Sequence, residues 1–302
     1  MAQLHILVTG STGFVGSALV PFLAAGGHRI TRLVRTTPEH GIAEVQWDPE
    51  AGVMDIARLE GLDAVVHLAG ENIATGRWTA EKKVKIHDSR VGGTRLLCDS
   101  LAGLKQPPKV LVCASAIGYY GDRGDELLTE ESASGTGFLA GVCREWEAAA
   151  KPAVQKGIRV VHPRFGMVLS GAGGALARLL QPFKMGLGGV LGTGHQYISW
   201  IALDDLLGVI VHALTTEALQ GPVNAVTPNP VTNQEFTRTL GRILSRFTPF
   251  AMPAVAARLT FGEIADELLL ASQRVQPTRL LATGYRFRYP DLEGALRHSL
   301  GE

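Results

Sequence analysis

The sequence predicts an α/β protein: a doubly wound, Rossmann-type parallel sheet with a smaller, mostly helical C-terminal lobe on the substrate side. Three observations lead there. Short apolar runs alternate with longer helical patterns over the first 165 residues, a glycine-rich turn follows the first run, and beyond Phe165 the rhythm changes to glycine-rich loops and helices. The 302 residues, 46% hydrophobic and 19% charged, suffice for a full core but are few for two large domains.

Strands are expected at Leu4–Val8, Arg29–Val34, Glu44–Trp47, Ala64–Leu68, Val110–Ala114 and Arg159–His162. Helices are expected between them near Gly13–Ala25, Thr79–Leu101 and Gly137–Lys156. Six parallel strands wound in two directions place a ligand crevice at their carboxyl ends. Residues 1–165 form the expected dinucleotide-binding domain, and 166–302 the substrate-side lobe, the two interleaving. The second half begins with GAGG at 171–174 and GLGGVLGTG at 186–194. A helix near Asp204–Thr215, a strand near Val223–Val226 and a helix near Asn233–Ser245 follow. The proline-rich stretch from Thr248 to Pro253 reads as a linker into a last helical segment from Phe261 onward.

The turn after the first strand reads TGSTGFVG, Thr9 to Gly16. Gly10, Gly13 and Gly16 are spaced G-x-x-G-x-x-G, which permits a sharp turn, close backbone approach to a pyrophosphate and tight packing of helix on strand. Thr12, Phe14 and Val15 fill the turn between them. A purely structural strand-to-helix turn is the alternative, but the position at the start of a βαβ unit favours a dinucleotide site. The second strand ends LVRTTP, with Arg35 where an NAD-preferring fold usually has Asp or Glu. A guanidinium can hold a 2′-phosphate that a carboxylate would repel, so the expected cofactor is NADP. In HLAGEN, the small residues after Leu68, Ala69 and Gly70, leave room for a ligand or for close helix packing. Lys85 and Arg90, on the next helix, either face the cofactor or are ordinary surface charges.

Lys+Arg number 29 and Asp+Glu 28, a net charge of +1 that offers no field for nucleic acid or an anionic membrane, so a small-molecule partner is expected. Cys98, Cys113 and Cys143 have no metal-ligand spacing and are too few for a disulfide scaffold. No metal and a reducing, cytoplasmic setting are the expectation. MAQLHILVTG has no basic leader, and no run approaches the ~20 apolar residues of a membrane span.

With TGSTGFVG, HLAG, SAIGYYGD at 115–122 and PRFGMVL at 163–169, the chain resembles the extended short-chain dehydrogenase/reductases, in their sugar-nucleotide epimerase branch. The segments PFKMGLGGVLGTGHQYISWIALDDL at 182–206 and LLLASQRVQPTRLLATGYRFRYPDLEGAL at 268–296 make it similar to an epimerase-like group without an assigned reaction that carries a distinctive helical C-terminal segment. The resemblance covers nearly the whole chain. It implies NADP binding with Arg35, Leu68, Ala69 and Arg90 near the cofactor, and Phe165 and Val168 where the nicotinamide sits. The resemblance does not supply a substrate; the expected partner is a small molecule, a sugar nucleotide or another carbonyl compound.

In that wider family a serine polarises the substrate, a tyrosine exchanges the proton, and a lysine four residues later lowers the tyrosine's pKa. Ser115 matches the serine. Aligning Glu147 with the acidic residue that follows in the same helix puts Leu139 at the tyrosine position and Cys143 at the lysine position. A shift of one residue, to Phe138 and Val142, restores neither. An unassisted tyrosine, with pKa near ~10, is only about one part in a thousand phenolate at neutral pH, roughly 4 kcal/mol short for a step that needs the base. Reduction needs only a neutral donor. Either Tyr119 or Tyr120 is the candidate substitute acid, or else one packs as an aromatic lid over the nicotinamide and the other is partly exposed. Arg164 either binds an anionic group or pairs with a nearby carboxylate, and His195 and Trp200 border the substrate or belong to a surface loop with a buried anchor. The expected function is an NADP(H)-binding, epimerase-like oxidoreductase without the Tyr-x-x-x-Lys pair. The alternative is a catalytically silent NADP(H)-binding sensor.

Overall fold

The computed structural model describes residues 3–39 and 41–302. Its main sheet contains β1 His5–Thr9, β2 Arg29–Val34, β3 Glu44–Asp48, β4 Val53–Met54, β5 Ala64–His67, β6 Val110–Cys113, β7 Arg159–Phe165 and β8 Gly221–Ala225. They lie in the order β8-β7-β6-β5-β1-β2-β3-β4, with the short strand Ser115–Ala116 also pairing to β7. All neighbours run parallel except the β3–β4 hairpin. The chain winds outward from β1 through β2 and β3, then restarts at β5 and winds the other way. The strand order therefore reverses between β1 and β5, where a doubly wound sheet opens its ligand crevice.

Ten α-helices occur among the described residues: α1 Phe14–Ala25, α2 Ala80–Ala102, α3 Phe138–Ala149, α4 Lys151–Gln155, α5 Gly174–Lys184, α6 Leu203–Thr215, α7 Asn233–Ile243, α8 Ala254–Phe261, α9 Thr278–Ala282 and α10 Leu292–Leu300. Alternation along β1 sends Ile6 and Val8 to one face of the sheet and Leu7 to the other. Ile6 and Val8 pack with Leu19 and Leu23 of α1 and Leu206 and Ile210 of α6. Leu7 packs with Leu97 and Leu101 of α2 and Trp146 of α3. Each such side chain, fully buried, contributes about 1.5–3 kcal/mol of transfer free energy. A third cluster, with Leu176, Phe183, Trp200, Phe236 and Leu296, is the core of the second half.

The six expected strands all form, five with ends within one residue of expectation and the last, β7, running three residues further to Phe165. The strand expected near Val223 is β8, and it joins the main sheet beside β7, so the second half of the chain supplies one strand of that sheet and, in α6, one of its covering helices. The helix expected over Gly137–Lys156 is two helices, because Pro152 has no N–H to continue the ladder and starts α4 instead. The stretch read as a linker contains a strand, Phe250–Met252, paired with Gly189–Leu191. Beyond it the C-terminal region is helical in short pieces, α8 to α10, punctuated by Gly262, Pro277 and Pro290.

Candidate cofactor cradle and catalytic site

The turn from β1 to α1 is built on two glycines that no other residue could replace. Gly10 has φ +65°, and a Cβ there would lie 2.7 Å from the Leu68 carbonyl carbon. A Cβ on Gly16 would lie 2.1 Å from the Gly10 carbonyl oxygen. The Gly13 amide closes the turn on that oxygen at 3.0 Å. No side chain caps α1, so the first-turn amides of Phe14, Val15 and Gly16, with the exposed Thr12 and Gly13 ahead of them, present a helix N-terminus of the kind that holds phosphate. An open cleft of ≈ 390 Å³ lies there, lined by Thr12, Gly13, Phe14, Ser17, Gly173 and Leu203 among others. The loop at 173–174 crosses the Phe14 ring so closely that a Cβ on either glycine would meet it within 2.8 Å.

The neighbouring strand end is tied to this turn by a buried column. Thr9 Oγ1 accepts the amides of Leu68 and Ala69, both at 3.1 Å, and so gives its own hydrogen to His67 Nδ1 at 2.7 Å. His67 Nε2–H then donates to Thr94 Oγ1 at 3.0 Å, which also accepts the Trp146 indole N–H at 2.9 Å. Burial pulls the His67 pKa down to about 4, so the ring is neutral in this tautomer. The column links β1, β5, α2 and α3 directly beneath the cradle. Sequence reasoning missed it, although Thr9 and His67 are polar ends of adjacent apolar strands, opposite each other in register.

Arg35 is exposed just past the end of β2, and among the described residues its side chain makes no hydrogen bond or ion pair. It shares a corner with Lys82 and Lys85: the hydrogen bond from Lys82 and the charges of Lys85 and Arg35 hold the Glu71 carboxyl below its usual range. Arg90 lies beneath Gly70, where a Cβ would sit 3.3 Å from Cζ, and donates to the carbonyls of Glu71 at 3.0 Å and Ile86 at 3.1 Å. Its guanidinium also lies over the Trp146 ring at 5.1 Å. Arg90 thus braces the loop at the crevice floor, while Lys85 is an exposed charge at its edge. Phe165 and Val168 are half-buried at and just beyond the end of β7.

The other side of the crevice is different. Ser115 is only 2% exposed, and its hydroxyl donates to Glu147 Oε1 at 2.7 Å. Arg164 grips the same carboxylate with two N–H groups, at 2.8 and 2.9 Å, and donates through a third to Tyr120 Oη at 2.9 Å. Tyr120 is fully buried, donates to Asn224 Oδ1 or the Thr129 carbonyl, and burial pushes its pKa up to about 12. The reading of Ser115 and Tyr120 as groups offered to a substrate therefore gives way to one closed network in which Arg164 pairs with a carboxylate. Tyr119 remains half-buried, its ring stacked under the Arg164 guanidinium at 3.5 Å. Glu147 is the hub that ties α3 to the sheet.

Ala116, next to Ser115, points the other way and is half-buried. Leu139, 7% exposed, packs its Cβ on Gly118, since an added Cβ there would be 3.3 Å away. Cys143 is 3% exposed, and burial pushes its thiol up to about 12, so it is no nucleophile. Trp200 is fully buried with its indole N–H on the Asn229 carbonyl at 3.1 Å, so it is a core anchor with no ring face for a ligand. His195 is exposed on its loop and takes no part in this network's hydrogen bonds. No group of His, Cys, Asp and Glu suited to a metal occurs among the described residues, and no helix there is long and apolar enough to cross a membrane.

Residues 6–225 match the model of the NAD dependent epimerase/dehydratase family. The chain belongs to that family. Residues 252–299 match a second model, a domain of unknown function (DUF1731). Epimerase family protein Mb2239 of Mycobacterium bovis is 44% identical over 299 residues, covering 99% of this chain and 98% of the relative. The crystal structure of the human epimerase family protein SDR39U1 (isoform2) with NADPH superposes with a TM-score of 0.91 at 36% identity, covering 99% of both chains. UDP-N-acetylglucosamine 4-epimerase from Bacillus cereus shares the fold, with a TM-score of 0.75 at 19% identity over 99% of both chains.

Proposed function

We propose that this chain binds NADP(H) in the cradle at β1 and α1 and works as a reductase of a small carbonyl compound without a Tyr–Lys pair. The observation that carries the cofactor reading is the uncapped N-terminus of α1 behind Gly10, with the cationic corner of Arg35 and Lys85 near Glu71. Those residues suit a dinucleotide that bears an extra phosphate: the amides would receive the pyrophosphate, and Arg35 with Lys85 would receive the 2′-phosphate. The human relative crystallised with NADPH supports the same choice. When bound, the cofactor supplies hydride.

The residues beside it set the direction. Ala116, Leu139 and Cys143 present no hydroxyl, phenolate or amine, so no base assists alcohol oxidation at the usual place. Tyr119 is the half-buried phenol near the crevice and the candidate to hold the proton for a carbonyl oxygen, with the Arg164 guanidinium against its ring. Glu147 and Arg164 position α3 and Tyr119 without touching the substrate. Sugar nucleotides and other carbonyl compounds are the substrate classes to screen.

Titration of the purified protein with NADPH and NADH tests the cofactor reading: NADPH should bind about 100-fold more tightly. Equal affinity for both would sink it. The internal bonding of Ser115 and Tyr120 favours a second reading, a silent NADP(H)-binding sensor. Tight NADPH binding with no oxidation of NADPH across a carbonyl screen would select it.

A further inference from the structure

The segment between the strand Phe250–Met252 and Ser272 is anchored at both ends and lightly held between them. At one end, Phe250–Met252 pairs with Gly189–Leu191. At the other, the Ser272 amide donates to Asp122 Oδ1 at 3.0 Å and its hydroxyl to the Gly124 carbonyl at 2.6 Å. No side chain from 253–270 joins any of the four hydrophobic clusters, and Val255 and Leu259 are 64% and 73% exposed. Its buried side chains, Ala257, Ile264 and Ala265, are few and mostly small, so burial does little to fix this stretch in place.

Polar contacts hold it instead, and three of them reach the carboxyl ends of β5 and β6, where the crevice opens. Arg77, in the loop after β5, donates to the Leu259 carbonyl at 2.8 Å. Lys83, in the first turn of α2, pairs with Glu263. The Glu267 carboxylate accepts the amides of Phe138 at 2.9 Å and Leu139 at 3.1 Å, one on each oxygen. Those amides open α3, whose N-cap residue Gly137 offers no side chain of its own. Gly137 has φ +103°, and a Cβ there would lie 2.4 Å from Glu267 Oε1. The glycine both makes the turn and leaves the opening through which a carboxylate, 129 residues further along the chain, reaches the helix end. A negative charge there also meets the positive end of the α3 dipole.

We propose that residues 253–271 form a strap across the crevice and that Glu267 is the residue that positions it, by gripping the first turn of α3. That turn carries Leu139, at the position where the wider family has its proton-exchanging tyrosine. Strap and crevice wall therefore move together. Releasing the carboxylate frees both, and ligand exchange requires that release. The link to ligand exchange rests on the NADP(H) reading above; the strap itself does not.

Hydrogen–deuterium exchange on the full chain without ligand tests the strap. Glu267→Ala should speed exchange at Phe138, Leu139 and the amides of 254–270 by about tenfold, with Glu267→Gln intermediate, while amides of β1 and β5 stay protected. Unchanged exchange in the strap and at α3 in both variants overturns the proposal, as does loss of protection spread evenly into β1 and β5 in both. Stopped-flow release of NADPH then tests the coupling: release should be about tenfold faster from Glu267→Ala than from wild type. Equal release rates overturn the coupling. A wild-type protein that does not bind NADPH at all overturns the cofactor reading instead, and the exchange result still decides the strap.

Discussion

Around β1 the polar groups that matter are backbone amides and exposed cations turned outward, with glycines keeping side chains out of the way. Around β6 and α3 the polar groups are side chains bonded to one another, with Ala116, Leu139 and Cys143 filling the surface between them. One wall of the crevice is shaped to receive a dinucleotide and the other is sealed. The two walls are built independently, because a helix N-terminus and a strand-end arginine do not depend on what α3 carries. Changes on the two walls should therefore have different signatures.

The largest effect is expected on the sealed wall. Arg164 is nearly buried and bonded three times through its guanidinium, so Glu147→Ala leaves a buried cation unpaired and should cost about 3–5 kcal/mol of stability. Denaturant unfolding of the variant checks this. Glu147→Leu combined with Arg164→Met should recover much of the loss, which would mark the pair as an anchor of α3; failure to recover would assign it a further role.

Next comes the column beneath the cradle. The folded-state pKa of His67, about 4, lies below its ordinary 6.5, so between those values the unfolded chain binds the extra proton. The stability this contributes is complete above about pH 6.5 and is lost as pH falls toward 4, on the order of 3 kcal/mol in all. His67→Asn should lower overall stability and flatten the rise of stability with pH across that window by up to one proton. An unchanged slope would mean that the ring does not take up this proton on unfolding.

On the open wall, Arg35→Asp places a carboxylate where a 2′-phosphate would sit. We expect NADPH affinity to fall about 100-fold, with NADH affinity rising or unchanged and stability within about 0.5 kcal/mol of wild type. Parallel titrations of both cofactors read this directly. A matched loss for both would move the 2′-phosphate site elsewhere, with Lys85 the next candidate.

How much of this was legible in advance follows the same division. The glycine turn, the six strands and Arg35 are local: period, spacing and one residue type suffice, and the structure forms those strands and that turn. The sealed network is not local. Ser115 and Tyr120, Glu147, and Arg164 come from three separate segments, and whether Ser115 faces the crevice or α3 depends on a one-residue alternation in a two-residue strand. Likewise Thr9 and His67 meet only because β1 and β5 pair in that register. Which strand of the second half enters the main sheet is not local either, because a strand's partner cannot be deduced from its own composition, and β8 looks like any short apolar run.

Tyr119→Phe should be the quietest change in stability and the most informative about chemistry. The hydroxyl appears in no hydrogen bond among the described residues, and the stack on Arg164 survives in phenylalanine, so unfolding should shift by less than about 0.5 kcal/mol. NADPH binding should not change, because the ring lies on the sealed wall. If Tyr119 supplies the proton, carbonyl reduction should fall about 100- to 1,000-fold while NADPH affinity holds. If turnover persists in Tyr119→Phe, the proton comes from solvent, since Ser115 and Tyr120 are already bonded inward, Leu139 has no exchangeable proton and Cys143 is buried.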